Sequence, residues 1–428
     1  MRILYITAGA GRMYCGGCLR DGALAAALTR MGHDVLCVPL YTPLRIEAES
    51  VAIDRLFYGG INVFLQQKIP LFRHTPRFVD RLFDSKALLG FASRFAHLTT
   101  AHDLARLAIS VLEGEEGGQR KEFRRLIAWL RTQPRPDVVV LPNTMLSVLA
   151  EGLRTALGAP VVALLSGEDA FIEEFPEPYR SQAIAVLRRR AAACDGFMAS
   201  NRSYAAFMAE YLAAPLDKIR VTPLGIDCRD YEGVARNEPP LFTIGYLARV
   251  CPQKGLRQLA EALRVLKANP ATSSCRVRAA GYLAGEYRAY LREILSDVEK
   301  WGIADSFEYI GELERAGKIR FLSSLSALCV PAPHPESKGQ YVPEALAAGT
   351  PVVLPRVGCF PEWIEATGGG LLCEPGSPEA LAAALARLMG DQALARRLGE
   401  AGQKAVLERF TVERMALATV EALANFLK

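Results

Sequence analysis

Short unbroken apolar runs alternate along this chain with longer segments whose apolar residues recur every three to four positions. The run at 3–7 leads through a glycine-rich turn into a helical pattern over 21–31, with Leu24 and Leu28 one turn apart. Gly32 stops that helix before a second buried strand at 34–39. The rhythm returns with strands at 137–141 and 160–165 around a helix over 147–157 that Gly158 closes. A basic helix over 181–193 precedes a strand at 194–200, and a strand at 219–222 ends the series. A second series starts at 241–245 and continues with strands at 275–280, 307–310, 327–331 and 351–354, helices filling the intervals. Strands without polar alternation are buried on both faces, and strands alternating with helices make parallel sheets covered on both sides. The pattern predicts an α/β chain of two doubly wound, Rossmann-like domains facing across a cleft, with ligand at the carboxyl ends of strands.

A length of 428 residues suits two domains at about 100–200 residues each. The expected boundaries are 1–226 for the first domain, 227–240 for a polar linker ending in Glu238-Pro239-Pro240, and 241–410 for the second domain. Residues 411–428 read as a last helix, with Met415, Val420, Leu423 and Leu427 on one face. Residues 41–136 are an elaboration of the first domain. There Phe72, Phe78, Phe83, Phe91 and Phe95 are interspersed with Arg73, Arg77, Arg81 and Arg94, followed by a basic helix over 121–131. Both read first as core-facing helices with snorkelling arginines, and a surface for a lipid-linked acceptor or an anionic membrane is the alternative.

With 50% hydrophobic and 23% charged residues the composition is globular and excludes a largely disordered chain. A formal charge of +5 is too thinly spread for a nucleic-acid footprint. No stretch reaches the roughly 18 apolar residues of a spanning helix, and no signal-peptide cleavage pattern follows Met1. The expected compartment is the cytoplasm, with peripheral contact at the inner membrane face left open. Of ten cysteines only Cys15-Gly16-Gly17-Cys18 has the Cys-x-x-Cys spacing. Without a second pair or nearby histidines it reads as small residues in a turn, not zinc or a redox dithiol. His33, His74, His97 and His102 have no evident partner, and His334 stands alone in a proline-rich turn.

Two segments carry chemistry. In the first, a strand is followed by Glu336-Ser337-Lys338-Gly339-Gln340 and, across Pro343, by Glu344. Pro343 places a helix start within the preceding turn, so unpaired amides fall in the 337–341 region, where they and the helix dipole favour a phosphate. Glu336 and Glu344 flank that cradle and can bind hydroxyls at either end of a nucleotide-sugar, although capping and surface charge fit the same spacing. In the second segment, Arg249 and Lys254 occupy the loop leaving a strand, ahead of a helix from about Leu256. A diphosphate suits two such cations, and so does a solvated face. No two aspartates have Asp-x-Asp spacing, so the charge of a departing diphosphate would fall to protein cations and amides, and no metal is expected.

Glu336-x7-Glu344, Gly245-x3-Arg249-x4-Lys254-Gly255, the stretch from Val221 to Asp227, and Gly358-x2-Pro361-Glu362 through Gly369-Gly370-Leu371-Leu372 occur in order. Together they resemble a family-4 retaining glycosyltransferase of GT-B fold (glycosyl transferases group 1), closely over 221–410 and in outline before that. The resemblance implies that Arg249 and Lys254 hold the donor diphosphate, Glu336 the transferred sugar's hydroxyls and Glu344 the ribose. Ser337, Lys338, Gly339 and Gln340 would line the sugar and phosphate, with amides from Gly339 and Gln340. Tyr309, Ile310 and Gly311 would lie beside the base, and the last helix would cross back to the first domain. Gly16 and Gly17 occupy the place of the glycine loop that approaches donor and acceptor.

Where such enzymes often carry a histidine after a first-domain strand, this chain has Leu165-Ser166-Gly167-Glu168-Asp169. Glu168 or Asp169 could orient the acceptor hydroxyl or take its proton, and a helix N-cap fits there as well. The expected activity is metal-independent, retaining transfer of a hexose from a nucleoside-diphosphate sugar to an acceptor hydroxyl on a glycan, lipid or small molecule, with no cofactor. The rivals are a nucleotide-sugar epimerase or a phosphorylase on the same plan, and a sugar-nucleotide-binding protein without turnover.

Overall fold

The computed structural model describes residues 1–8, 16–40, 101–114, 120–234 and 239–427. Cys15, His74, His97, Glu238 and the phenylalanines and arginines between 72 and 95 lie outside the described residues. The chain divides into two compact units, Met1–Pro223 with Met415–Lys428, and Leu224–Arg414. The first holds strands β1 (Arg2–Thr7), β2 (Asp34–Pro39), β3 (Val138–Leu141), β4 (Val161–Leu164), β5 (Gly196–Ala199) and β6 (Ile219–Val221). The second holds β7 (Phe242–Leu247), β8 (Cys275–Ala280), β9 (Phe307–Tyr309), β10 (Ala327–Cys329), β11 (Val352–Pro355) and β12 (Gly370–Cys373).

In the first unit the six strands run in the order β2-β1-β3-β4-β5-β6, every pairing parallel. Each residue of β3, β4 and β5 is buried, so both faces of the sheet are covered. That is why these strands read as unbroken apolar runs. The second sheet has the order β12-β11-β10-β7-β8-β9, again all parallel. Its first strand is central: the chain builds outward through β8 and β9, then returns to lay β10, β11 and β12 on the other side. The reversal falls between β7 and β10, and the loops leaving those neighbours diverge to opposite faces and open a crevice at the carboxyl edge. Segments 248–255 and 330–340 are those two loops.

Some local expectations change. The helix expected over 147–157 is a 3₁₀ turn, Thr144–Leu149, followed by a helix Ala150–Leu157, which Gly158 closes with φ 63°. The helix after β1 begins at Gly16, not residue 21, so Gly16 and Gly17 form its first turn and do not precede it. Its apolar periodicity hides that turn because Arg20 and Asp21 are themselves buried, as an ion pair of 2.6 Å. The segment around Asp227 is tied into the second unit: Ile226 N–H donates to Phe410 at 3.0 Å and Val412 N–H to Ile226 at 2.8 Å. From Met415 the last helix packs within the first unit, where Phe426 lies over Gly196. No described helix is long and apolar enough to cross a membrane.

Candidate active site

The loop leaving β7 is fixed from both sides. Its Ala248 and Val250 amides extend the pairing with the β8 side at 3.2 and 2.9 Å, and the hydroxyl of wholly buried Tyr246 donates to the Arg249 carbonyl at 2.9 Å. Pro252–Lys254 forms one 3₁₀ turn, and Gly255, with φ 74°, starts the helix Leu256–Ala268. A Cβ at Gly255 would stand 2.0 Å from the Pro331 carbonyl oxygen. Glycine therefore lets this loop close on the end of β10, which brings Lys254 to the neighbouring loop.

There the Lys254 ammonium pairs with Glu336 Oε2, their side chains only 18% and 11% exposed. The Tyr341 hydroxyl donates to the same oxygen at 3.3 Å, and Lys254 stands 6.0 Å from the centre of the Tyr341 ring. Burial is the largest influence on Glu336 and opposes its ionisation. The Lys254 charge and hydrogen bond, with Lys338 and Tyr341, outweigh it and hold the carboxyl below the ordinary glutamate value. Burial first, then the Glu336 charge, pushes the Tyr341 phenol well above its usual range, so it stays a neutral donor. Arg249 points an exposed guanidinium from the same loop and has no ion-pair partner among the described residues.

Behind the second loop, Gly358 (φ 58°) approaches so closely that a Cβ would lie 2.4 Å from the Glu336 nitrogen. Cys359 N–H donates to the Glu336 carbonyl at 3.0 Å, and Trp363 Nε1 to the Lys338 carbonyl at 2.9 Å. Ser337 is buried beside them, and Gly339 turns with φ 61°. A helix then begins at Tyr341, with Pro343 where no amide is needed. Among the described residues the amides of Gly339, Gln340 and Tyr341 find no acceptor.

All seven residues of the helix Tyr341–Ala347 are buried, Glu344 included. Its carboxylate accepts from Lys318 Nζ at 2.6 Å, a lysine the sequence reading did not single out. Its signal was available: Lys318 falls in a helix, Arg315–Ser323, beside Ile319, Phe321 and Leu322, and a lysine on a buried face requires an acid. Tyr309, Ile310 and Gly311 stand at the same carboxyl edge, with β8 between them and β7. The Tyr309 hydroxyl donates to the Gly281 carbonyl at 2.8 Å, while Gly281 N–H donates to Gly311 at 2.9 Å.

In the first unit, Glu168 is buried and its carboxylate is taken by its own chain. It accepts from the Thr144 amide and hydroxyl at 3.0 and 2.5 Å and from the Ser166 amide at 2.6 Å. That fixes the loop after β4 to the loop after β3. Asp169, half-buried, accepts from the Tyr204 hydroxyl at 2.5 Å, and burial raises its pKa above the ordinary aspartate value despite that bond. Gly167 is the N-cap, so neither acid caps the helix Glu168–Ile172. At the end of β1, the Tyr5 hydroxyl donates to Asp21 at 3.0 Å and Arg20 bridges to Ser166 at 3.3 Å, so the Gly16-Gly17 helix is linked to the Ser166 loop.

Two parallel six-stranded sheets, each doubly wound, with charged loops at a switch point, define the GT-B architecture. The same fold occurs in Anabaena Alr3699/HepE, solved in complex with UDP (17% identical, TM-score 0.66, covering 99% of this chain and 100% of that one). It occurs also in a sucrose-phosphate synthase of Thermosynechococcus elongatus (19% identical, TM-score 0.70, covering 99% and 98%). Residues 234–405 match the family model Glycosyl transferases group 1, and the second unit is a domain of that family. Among curated proteins, D-inositol 3-phosphate glycosyltransferase of Segniliparus rotundus is 27% identical over 263 residues, 58% of this chain and 58% of that protein's length.

Proposed function

We propose that this chain is a glycosyltransferase that moves a hexose, with retention of configuration, from a nucleoside-diphosphate sugar to an acceptor hydroxyl on a glycan, lipid or small molecule. The observation that carries the reading is the charge arrangement at the β7–β10 switch point: Lys254 locked to Glu336, Arg249 exposed beside it, and three unengaged amides at 339–341. The UDP bound to a protein of the same fold supports the donor class.

As the bond from the anomeric carbon to the phosphate breaks, negative charge grows on the departing diphosphate. Lys254 has three donors and can keep Glu336 while giving one to that phosphate. Arg249 supplies a second charge, and the Gly339 and Gln340 amides supply dipoles that need no reorganisation. Glu336, held ionised, accepts hydroxyls of the transferred sugar. Glu344 takes the ribose, and Tyr309, Ile310 and Gly311 take the base. The acceptor oxygen attacks from the face the diphosphate leaves and its proton passes to the departing phosphate oxygen, so no protein nucleophile is consumed. Asp169 is the first-unit acid left to orient the acceptor, since Glu168 is occupied. With this charge supply no divalent metal is required. The reaction belongs in the cytoplasm, at the inner membrane face if the acceptor is a lipid.

The test is transfer from UDP-, GDP- and ADP-hexoses by wild type, Lys254→Ala and Arg249→Ala, with and without a chelator. Each substitution should lower turnover by about 10²–10³ with the thermal transition retained, and the chelator should change nothing. Wild-type rates in both variants, or chelator loss restored by magnesium, would refute the reading.

A further inference from the structure

The second carboxylate of the donor site is not placed by its own helix. Glu344 sits in a seven-residue helix with every position buried, where a lone ionised carboxylate would be strongly disfavoured. One oxygen, Oε1, accepts from Lys318 at 2.6 Å, across from the helix Arg315–Ser323. The lysine is nearly sealed, its side chain 5% exposed against 11% for Glu344. The other oxygen, Oε2, accepts nothing among the described residues and is not among the atoms closed off from solvent. The carboxylate is thus held by one oxygen and presents the other.

A buried lysine among Ile319, Phe321 and Leu322 is a poor way to gain stability, because an apolar residue there would avoid the cost of removing an ammonium from water. What the pair does provide is orientation. An ammonium pinned by its helix fixes the carboxylate in rotation, which a hydroxyl-recognising acid requires if it is to discriminate. From this geometry we infer that Lys318 is a positioning residue for nucleoside recognition: it holds Glu344 turned so that Oε2 meets a vicinal diol, the ribose of the donor. The inference rests on the donor reading above and adds a residue to it.

Calorimetric titration with UDP, GDP and ADP selects the best-bound nucleotide, which is then compared with its 2′,3′-dideoxy counterpart. Wild type should favour the ribose form by about 10-fold or more, the size of one or two hydrogen bonds to a charged group. Lys318→Met should bring the ratio below about threefold by weakening the ribose form while leaving the dideoxy form nearly as before, and Lys318→Arg should restore most of it. The double variant Lys318→Met/Glu344→Gln, which leaves no uncompensated charge, should discriminate no worse than Glu344→Gln alone and keeps the test open if the single variant is unstable. An unchanged ratio in Lys318→Met, or equal losses for both nucleotides, overturns the positioning role while the donor reading stands. Absence of nucleotide binding in wild type removes the donor reading, and this inference with it.

Discussion

Glu336 and Asp169 are both partly or wholly withdrawn from water, yet their acidities move in opposite directions. For Glu336, burial is overcome by Lys254, and its folded-state value lies below the ordinary 4.5. Its contribution to stability is then complete above about pH 4.5 and drains away as pH falls through the folded value. For Asp169, burial prevails over the Tyr204 hydrogen bond, so its value lies above 3.8 and ionisation costs stability at neutral pH. That cost is fully present above the folded value and gone below the ordinary one. Glu336→Gln should therefore lower the midpoint of unfolding at pH 7, by about 1–3 kcal/mol of stability for a partner left unpaired, with the gap to wild type closing below pH 4.5. Asp169→Asn should match or exceed wild-type stability at pH 7 by about 2–4 °C and lose that advantage toward pH 4. Thermal unfolding from pH 3.5 to 8 checks both, and parallel curves for either variant would contradict the assigned cause.

Two loops meet at the end of the second sheet because one glycine has no side chain. Gly255→Ala would force a left-handed residue, at about 1–2 kcal/mol, and also drive a Cβ to 2.0 Å from the Pro331 oxygen. Gly302 has the same sign of φ, 71°, and nothing within 4 Å, so Gly302→Ala isolates the conformational cost. The first variant should lose clearly more stability than the second and at least about tenfold in transfer, as Lys254 leaves Glu336. Equal losses in denaturant unfolding and equal transfer rates would show that the close approach is unimportant. The elements involved were largely visible in the sequence, since strands covered on both faces leave unbroken apolar runs and left-handed glycines mark ends such as Gly158. The start of the helix after β1 was placed too late in the chain because burying Arg20 against Asp21 erases the amphipathic signal of its first turn. Pairings across the fold were not visible: Lys254 and Glu336 are 82 residues apart, and only strand order makes them neighbours. Glu168 looked like a reactive acid because nothing local announces that Thr144, 24 residues earlier, supplies its donors.

Each unit of the chain closes its own sheet and core, so donor binding need not be a property of the whole molecule. The cations, the unengaged amides and both paired carboxylates lie within Leu224–Arg414, around one crevice in one sheet. The corresponding edge of the first unit carries Asp169, Tyr204 and the Arg20–Asp21–Ser166 link, with Asp21, Glu168 and Asp169 each already accepting from a neighbouring side chain or amide. A nucleoside diphosphate without sugar or acceptor should therefore recognise the second unit alone. Hydrogen exchange with UDP, GDP or ADP at about 100 times its dissociation constant provides about 2.7 kcal/mol of linkage. That is enough to slow exchange visibly where amides become engaged. Protection should concentrate in 245–258, 309–318 and 336–345, with 139–172 and 196–212 unchanged. The Gly339–Tyr341 amides should respond most strongly, because they gain a bond they otherwise lack. Protection that begins in 139–172 would mean the phosphates are held by the first unit, and the division of labour between donor and acceptor would have to be reversed.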